Sequence, residues 1–185
     1  MKKMSKVILI TGACRSGKSS YAEKLLMEED DVLYIATAKP LDKEMEDRIE
    51  KHKNRRNSKW STYEGFKELD KVVEKTDKKH VLLDCITILV TNLMFDRYED
   101  FDSITMEEVD EISKDIKEEV KKIILKAREN DKNIIMVTNE VGWGLVPEYK
   151  VSRIFRDIAG WINQYIASLS DEVYLLACGL PLKLK

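Results

Sequence analysis

The stretch Gly12-Ala13-Cys14-Arg15-Ser16-Gly17-Lys18-Ser19 decides the fold of this chain. It matches the pattern G-x-x-x-x-G-K-[ST], in which a glycine-rich backbone wraps its N–H groups around a polyphosphate. The apolar run from Val7 to Ile10 precedes it and predicts a buried strand, and a helix-forming run from Ser20 to Leu26 follows. A helix start at this point adds positive potential to the loop. The stretch therefore predicts a nucleotide-binding loop rather than a chance match on a surface turn.

Two side chains of the loop, and one acid further along, have predicted roles. Lys18 is expected to reach the β- and γ-phosphates, and the Ser19 hydroxyl is expected to bind Mg²⁺. Asp84 ends the apolar run that begins at His80. An acid at the tip of a buried strand is the expected magnesium partner of such a loop. The alternative is that Asp84 caps a helix that begins near Ile86.

Composition narrows the class of protein. The length of 185 residues predicts one domain that spans 1–185. Apolar residues make up 43% and charged residues 36%, which is typical of a globular protein with a charged surface. The net charge of −2 argues against a protein that coats nucleic acid. The apolar runs are too short for a membrane span, and the basic start is followed by a predicted core strand rather than a signal peptide.

The three cysteines, Cys14, Cys85 and Cys178, are odd in number and lie at or near predicted strand ends. This pattern favours reduced thiols over a disulfide framework or a zinc site. It predicts a cytoplasmic protein.

Short apolar runs alternate with helical patterns along the chain. This alternation predicts the α/β class, with a mainly parallel sheet flanked by helices on both faces. Polar residues end each run, so they are expected at the carboxyl edge of the sheet, where ligands bind. The five runs are Val7 to Ile10, Val32 to Ile35, Val81 to Leu83, Ile134 to Val137 and Val173 to Leu176.

Two long helices are predicted in the second half. Met106 to Asn130 has an apolar stripe at helical spacing, and Thr105 with Glu108 forms a capping box before it. Pro147 suits the start of the second helix. The polar face of that helix is expected to receive a polar ligand or another subunit, or else to hold a surface pair of Arg153 with Asp157. That face comprises Arg153, Arg156, Asp157, Gly160 and Asn163.

The loop from Asn139 to Gly144 follows a predicted strand tip and has two glycines around Trp143. Such a loop is either a mobile, ligand-facing segment or a plain turn. The residues leave both interpretations open.

The stretch from Asp42 to Arg56 is charged, with acids early and bases late, as a helix dipole prefers. Arg48, His52 and Arg56 are spaced i, i+4, i+8, so they share one face. The neighbouring cations would leave His52 neutral and nucleophilic, and its attack on a nucleotide phosphate would give a phosphoramidate. The alternative is a solvated helix with an incidental surface histidine, which composition alone favours.

Taken in order, these blocks resemble the bifunctional adenosylcobinamide kinase / adenosylcobinamide-phosphate guanylyltransferase family of cobalamin biosynthesis. The phosphate loop occurs in many nucleotide-binding families, whereas the histidine block and the later Asn-Glu-Val-Gly and Phe-Arg-Asp blocks are specific to this one. The matching stretches extend over nearly the whole chain. They are Ile10 to Ser20; Leu33 to Ala38; Glu44 to Ile49 with His52 and Arg56; Trp60 to Glu64; Asp84 to Thr87 with Val90 to Leu93; Thr138 to Gly142; and Arg153 to Gly160 with Asn163 and Gln164.

The resemblance implies a P-loop NTPase-like fold, a trimer and two activities. One activity phosphorylates adenosylcobinamide with ATP or GTP. The other transfers GMP from GTP to the product through a guanylylated histidine, which by position is His52, and releases pyrophosphate. Cys14 stands where alanine is usual in the family, and Ala13 where a second glycine is usual. The residues implied in nucleotide binding are Gly12, Ala13, Cys14, Arg15, Ser16, Gly17, Lys18, Ser19, Thr37, Ala38, Lys39, Lys53, Asn54, Arg55, Arg56, Glu64 and Asp84.

The expected chemistry follows from these positions. Lys18 and Mg²⁺ stabilise the transferred phosphoryl group, and His52 attacks the GTP α-phosphate while Arg55 or Arg56 offsets the charge. Small-molecule substrates are the expected partners, without nucleic acid. Two rival hypotheses are an ordinary small-molecule kinase, in which His52 has no role, and a nucleotide-dependent switch. The second is disfavoured because no guanine-specificity motif of the switch GTPases follows the fourth predicted strand.

Overall fold

The computed structural model describes residues 5–38, 43 and 56–185, and within them strands and helices alternate. The strands are β1 (Val7–Gly12), β2 (Val32–Ala36), β3 (Ser61–Glu64), β4 (His80–Asp84), β5 (Asn133–Val137), β6 (Glu172–Ala177) and β7 (Leu180–Lys183). The helices are α1 (Lys18–Leu25), α2 (Leu69–Lys75), α3 (Ile86–Arg97), α4 (Met106–Glu129) and α5 (Lys150–Leu169).

In the described part of the chain, seven strands form one sheet in the order β3-β2-β4-β5-β1-β6-β7. Neighbouring strands pair in parallel except β6 and β7, which pair antiparallel. The strand β5 therefore lies between β1, which leads into the phosphate loop, and β4, which ends at Asp84. The predicted α/β class with a mainly parallel sheet is confirmed.

Apolar cores on both faces hold the helices to the sheet. Leu9 and Leu83 belong to the cluster under α2, α3, α4 and α5, whereas their strand neighbours Ile10 and Leu82 belong to the cluster under α1. Successive side chains of a strand point to opposite faces, so each central strand contributes to both cores. This is why the central strands read as continuous apolar runs, and the prediction of helices on both faces is confirmed.

The two outer strands were not predicted. Ser61–Glu64 alternates half-buried with exposed residues, and all residues of Leu180–Lys183 are exposed. Neither segment has the apolar run that marks a buried strand. Pro181 is tolerated because it lies on an edge strand, where one side of the backbone needs no partner.

The capping box of α4 is confirmed, since Thr105 Oγ1 accepts from the Glu108 N–H and the Glu108 carboxylate accepts from the Thr105 N–H. The predicted start of the next helix at Pro147 is wrong. The helix α5 begins at Lys150 after an extended Tyr149, and the carbonyl of Pro147 instead accepts a hydrogen bond from Arg153. The surface pair of Arg153 with Asp157 is also wrong, because Asp157 pairs with Arg156.

Cys14, Cys85 and Cys178 are free thiols. No helix among the described residues is both long enough and apolar enough to cross a bilayer.

Candidate functional site

The phosphate loop joins β1 to α1 through a backbone that needs glycine. Gly12 and Gly17 have φ angles of 149° and 98°. A Cβ on Gly12 would lie 2.4 Å from the carbonyl oxygen of Leu176 and 2.8 Å from Ser16 Oγ, closer than atoms can approach. Arg15 is the one non-glycine residue of the loop with positive φ, at 57°. The two motif glycines are therefore required by the path of the backbone.

Lys18 lies across the inside of the loop. Its ammonium group donates to the Ala13 carbonyl at 2.5 Å and to Ser16 Oγ at 3.4 Å, and the residue is buried. Gly17 occupies the N-cap of α1 and supplies no side-chain cap. The backbone N–H groups of the first turn therefore remain suited to an anion. The loop has the charge and the donors that a polyphosphate requires.

Asp84 ends β4 on the same edge of the sheet. Its Oδ2 accepts a hydrogen bond of 2.9 Å from the Tyr34 hydroxyl, and its Oδ1 has no partner in the part of the chain that the structure describes. The N-cap of α3 is Cys85, which makes no side-chain cap, so the interpretation of Asp84 as a cap is wrong. The side chain is half-buried and can still serve as a ligand.

Ser19 and Asp84, the predicted Mg²⁺ ligands, carry oxygen donors of the kind that Mg²⁺ takes. Helix α1, which carries the half-buried Ser19, packs against β1, β4 and β5. No cluster of three or more His, Cys, Asp or Glu side chains suited to a metal ion occurs in residues 5–38, 43 and 56–185. In nucleotide sites Mg²⁺ takes one or two protein oxygens and completes its shell with phosphates and water.

Arg56 stacks on Tyr34. Its guanidinium carbon lies 3.2 Å from the centroid of the tyrosine ring, whose hydroxyl in turn bonds to Asp84. Burial, followed by the charge of the Asp84 carboxylate, raises the pKa of Tyr34 far above its ordinary value, so the phenol stays a neutral donor. Nε and Nη1 of Arg56 are buried and have no hydrogen-bond partner in the described structure. These two donors point to a missing acceptor.

Arg56 also lines a pocket of about 200 Å³ between α1 and the segment before β3. Its volume is below the roughly 300–1,000 Å³ of typical small-molecule sites, so it holds at most part of a ligand. The other lining residues are Ser20, Glu23, Met27, Asn57 and Trp60.

Thr37 and Ala38 follow β2 at the same edge. The buried hydroxyl of Thr37 donates to the Cys85 carbonyl at 2.8 Å and accepts from the Cys85 N–H at 2.9 Å. Asn92 donates to the Thr37 carbonyl at 2.8 Å. The Thr37 side chain is thus occupied in joining the ends of β2 and β4, and Ala38 beside it is half-buried.

Glu64 lies apart from the phosphate loop. It ends β3 and is exposed, and β3 is four strands away from β1. At ordinary strand spacing this is roughly 19 Å. A ligand that contacts both Glu64 and the loop must therefore extend along the edge of the sheet.

The remaining predicted site residues lie outside the described residues. They are His52, Lys39, Lys53, Asn54 and Arg55, and most of the charged stretch from Asp42 to Arg56 lies there with them.

A second polar cluster lies where β1 and β5 end. Thr11 donates to Glu140 Oε1 at 2.8 Å, and the Glu140 N–H donates to the Gly12 carbonyl at 3.1 Å. The Asn163 amide donates to Glu140 Oε1 at 3.3 Å and to the Asn139 carbonyl at 3.1 Å. Thr138 Oγ1 donates to the side-chain Oδ1 of Asn163 at 2.7 Å. This network ties the loop after β5 to the first residues of the phosphate loop.

The sequence interpretation of Asn163 was wrong. It placed Asn163 on a helix face that receives a ligand or a subunit, whereas the side chain is buried against the end of β5. The polar residues that follow β5 were the available signal in the sequence that Asn163 is buried. A buried asparagine side chain needs hydrogen-bond partners, and these residues can supply them. In the sequence, Glu140 belongs to the loop from Asn139 to Gly144 and to the matched block from Thr138 to Gly142, which assign it no role of its own.

The loop beyond Glu140 exposes large apolar side chains. Trp143 is 69% exposed, and Leu145 is 95% exposed. Val146 and Tyr149 are exposed as well. Whether this loop faces a ligand or is a plain turn stays an open prediction.

Comparisons with known proteins agree with this geometry. A family model described as cobinamide kinase / cobinamide phosphate guanyltransferase matches residues 8–184. The bifunctional adenosylcobalamin biosynthesis protein CobU of Escherichia coli is 41% identical over 97% of this chain and 99% of that protein, and the CobU of Salmonella typhimurium is similar to the same degree. The bifunctional adenosylcobalamin biosynthesis protein CobP of Pseudomonas aeruginosa is 36% identical over 96% of both chains. The chain therefore belongs to the cobinamide kinase / cobinamide phosphate guanyltransferase family.

Proposed function

We propose that this chain is a bifunctional transferase of adenosylcobalamin biosynthesis. It phosphorylates adenosylcobinamide with ATP or GTP, and it then transfers GMP from GTP to adenosylcobinamide phosphate, which gives adenosyl-GDP-cobinamide and pyrophosphate. The observation that carries this proposal is the phosphate loop with its inward Lys18, on the same sheet edge as Asp84, in a chain matched over residues 8–184 by this family.

In the kinase step, the loop backbone from Gly12 to Ser19 holds the nucleotide phosphates, and Lys18 offsets the charge on the transferred group. Mg²⁺ held by Ser19 and Asp84 would supply further charge neutralisation. The burial of Lys18 favours this role, because a charge acts more strongly where water is excluded.

In the transfer step, His52 attacks the α-phosphorus of GTP. A nitrogen–phosphorus bond forms while the bond from phosphorus to the pyrophosphate oxygen breaks. An oxygen of adenosylcobinamide phosphate then attacks the same phosphorus and frees the histidine. Arg55 or Arg56 offsets the charge that develops.

Arg56 supports a nucleotide contact in this region. Its buried Nε and Nη1 have no acceptor in the described structure, and stacking on Tyr34 fixes the guanidinium. A phosphate oxygen or a guanine carbonyl would satisfy them. The other proposed contacts are those that the family resemblance implies: Thr37, Ala38, Lys39, Lys53, Asn54 and Glu64.

We further propose one domain over residues 1–185, a homotrimer and a location in the cytoplasm. Light scattering during gel filtration tests the assembly, and it should give about three times the chain mass of 21.5 kDa.

The transfer mechanism is tested with GTP labelled at the α-phosphorus. The purified protein should take up a label that is stable to alkali and lost in acid, as a phosphoramidate is, and His52→Ala should take up none. The matched control is His80→Gln, which replaces the second of the two histidines in the chain at the amino end of β4, on the opposite edge of the sheet.

A label that persists in His52→Ala would refute the histidine intermediate. An unlabelled wild-type protein that still phosphorylates adenosylcobinamide would be an ordinary kinase. Slow GTP hydrolysis that does not respond to adenosylcobinamide would indicate a nucleotide-dependent switch.

A further inference from the structure

Glu140 occupies a central place on the carboxyl edge of the sheet. It follows β5, which pairs with β1 on one side and with β4 on the other. Its backbone N–H donates to the carbonyl of Gly12, the first residue of the phosphate loop, at 3.1 Å. Glu140 is thus attached directly to the loop that binds the phosphates.

Buried neighbours fix the orientation of the Glu140 side chain. Oε1 accepts from the Thr11 hydroxyl at 2.8 Å and from the Asn163 amide at 3.3 Å. Thr11 is 5% exposed and Asn163 is 7% exposed, and Thr138 holds the Asn163 amide in place from the other side. The second oxygen, Oε2, makes no hydrogen bond to any residue that the structure describes.

A structural role alone does not account for a carboxyl group at this position. The Thr11 hydroxyl and the Asn163 amide need one oxygen acceptor between them. The amide oxygen of a glutamine at this position could accept both hydrogen bonds. No Lys, Arg or His of the described part of the chain pairs with this half-buried acid. A partly buried carboxylate without a cation is costly, so its second oxygen needs another use.

We propose that Glu140 is the general base of the kinase step. The proton of the adenosylcobinamide hydroxyl that is phosphorylated moves to Oε2 while the hydroxyl oxygen forms a bond to the γ-phosphorus of the nucleotide. The bond from that phosphorus to the bridging oxygen breaks, and the nucleoside diphosphate leaves with its charge offset by Lys18. The proton on Glu140 then passes to water. This inference rests on the proposed kinase activity.

Asp84 is less suited to this task. Its Oδ2 is taken by the Tyr34 hydroxyl, and its other oxygen is the proposed Mg²⁺ ligand. It also lies two strands from β1, roughly 10 Å at ordinary spacing, whereas Glu140 bonds to the loop itself. The two acids therefore have separate roles.

The test compares Glu140→Gln with wild type in both reactions. Glutamine can accept the same two hydrogen bonds but cannot take a proton. We expect the kinase kcat with adenosylcobinamide and ATP to fall by about 10²–10³-fold, with the KM for ATP unchanged. Guanylyl transfer from GTP to supplied adenosylcobinamide phosphate should stay within twofold of wild type. Glu140→Asp should retain more kinase activity than Glu140→Gln.

The matched control is Glu148→Gln, an exposed glutamate of the same loop, which should leave both reactions unchanged. A kinase rate within twofold of wild type in Glu140→Gln would overturn the inference alone. An equal loss of both activities together with a lower unfolding temperature would also overturn it, since that result indicates structural support. A wild-type protein that makes no adenosylcobinamide phosphate would instead refute the proposed function, and the inference with it.

Discussion

Two polar corners of the molecule differ in how fully their side chains satisfy one another. In the Arg56 corner, formed by Tyr34, Arg56 and Asp84, two buried guanidinium nitrogens have no acceptor among the described residues. In the Glu140 corner, hydroxyl, amide and carboxyl groups form a connected network in which Oε2 of Glu140 is left over. The members of the Glu140 corner are Thr11, Thr138, Asn139, Glu140 and Asn163.

The two corners therefore differ in whether their buried polar groups find partners within the protein or require a ligand. A buried donor without an acceptor costs about 1–3 kcal/mol, and more when charged, so the Arg56 corner gains stability when a ligand supplies the acceptor. In the Glu140 corner the buried donors of Thr11, Thr138 and Asn163 all have acceptors within the protein, whereas Oε2 of Glu140 has no partner among the described residues. These internal hydrogen bonds hold the geometry of the corner without a ligand. We expect substitutions in the first corner to affect binding and turnover, and those in the second to affect stability as well.

The largest effect is expected at the Arg56 corner from Asp84→Asn. The amide can still accept from the Tyr34 hydroxyl, but it lacks the charge that we propose to hold Mg²⁺. Turnover at limiting Mg²⁺ should fall by about 10²-fold, since the loss of a metal contact costs several kcal/mol of charge stabilisation. Rates measured across a Mg²⁺ titration give the comparison, and the control is Asp77→Asn, whose side chain is 88% exposed at the other edge. An unchanged Mg²⁺ requirement would rule out Asp84 as a ligand.

A medium effect is expected at the Glu140 corner from Asn163→Ala. This change removes the acceptor of the buried Thr138 hydroxyl, which keeps its contact with the Thr87 hydroxyl, and it removes the donor to the carbonyl of Asn139. The free energy of unfolding, measured in urea, should fall by about 2 kcal/mol.

The matched control is Gln164→Ala, at the neighbouring exposed residue of the same helix. This variant should lower the free energy of unfolding by less than about 0.5 kcal/mol. Equal losses in the two variants would mean that the network does not stabilise this corner.

The smallest effect is expected at the amino edge of the sheet, which serves as a reference for both corners. Hydrogen bonds from Lys6 and then Tyr174 hold the pKa of Glu172 below its ordinary value of 4.5, and the same acid raises the pKa of Tyr174 to about 12. A carboxyl group with a lowered folded pKa stabilises the protein above its unfolded pKa, and this stability is lost as the pH falls through the folded pKa.

Glu172→Gln should therefore lower the free energy of unfolding by about 0.5 kcal/mol at pH 7, because Lys6 is largely exposed. The difference should shrink as the pH falls below 4.5. Urea unfolding of both proteins at a series of pH values measures this difference. A difference that does not change with pH would contradict the lowered pKa of Glu172.

Much of the fold was predictable because its central strands are buried on both faces. The apolar runs at β1 and β4 were recognised for this reason, whereas the pairing of the loop with the acid Asp84 at the tip of β4 stays a prediction. The edge strands β3 and β7 were missed because half or more of their residues face solvent. The start of α5 was placed too early because proline suits a first helical turn as well as the extended lead that precedes this helix.

The sequence by itself determined the phosphate loop, the α/β class and the family, because these depend on local motifs and on the order of blocks along the chain. Only the tertiary structure decided that Asn163 is buried, that Asp84 bonds to Tyr34 rather than capping α3, and that Glu140 contacts the first residues of the loop. These contacts join residues 129, 50 and 23 positions apart. The order of the strands in the sheet brings these residues together. No short-range pattern in the sequence predicts that order.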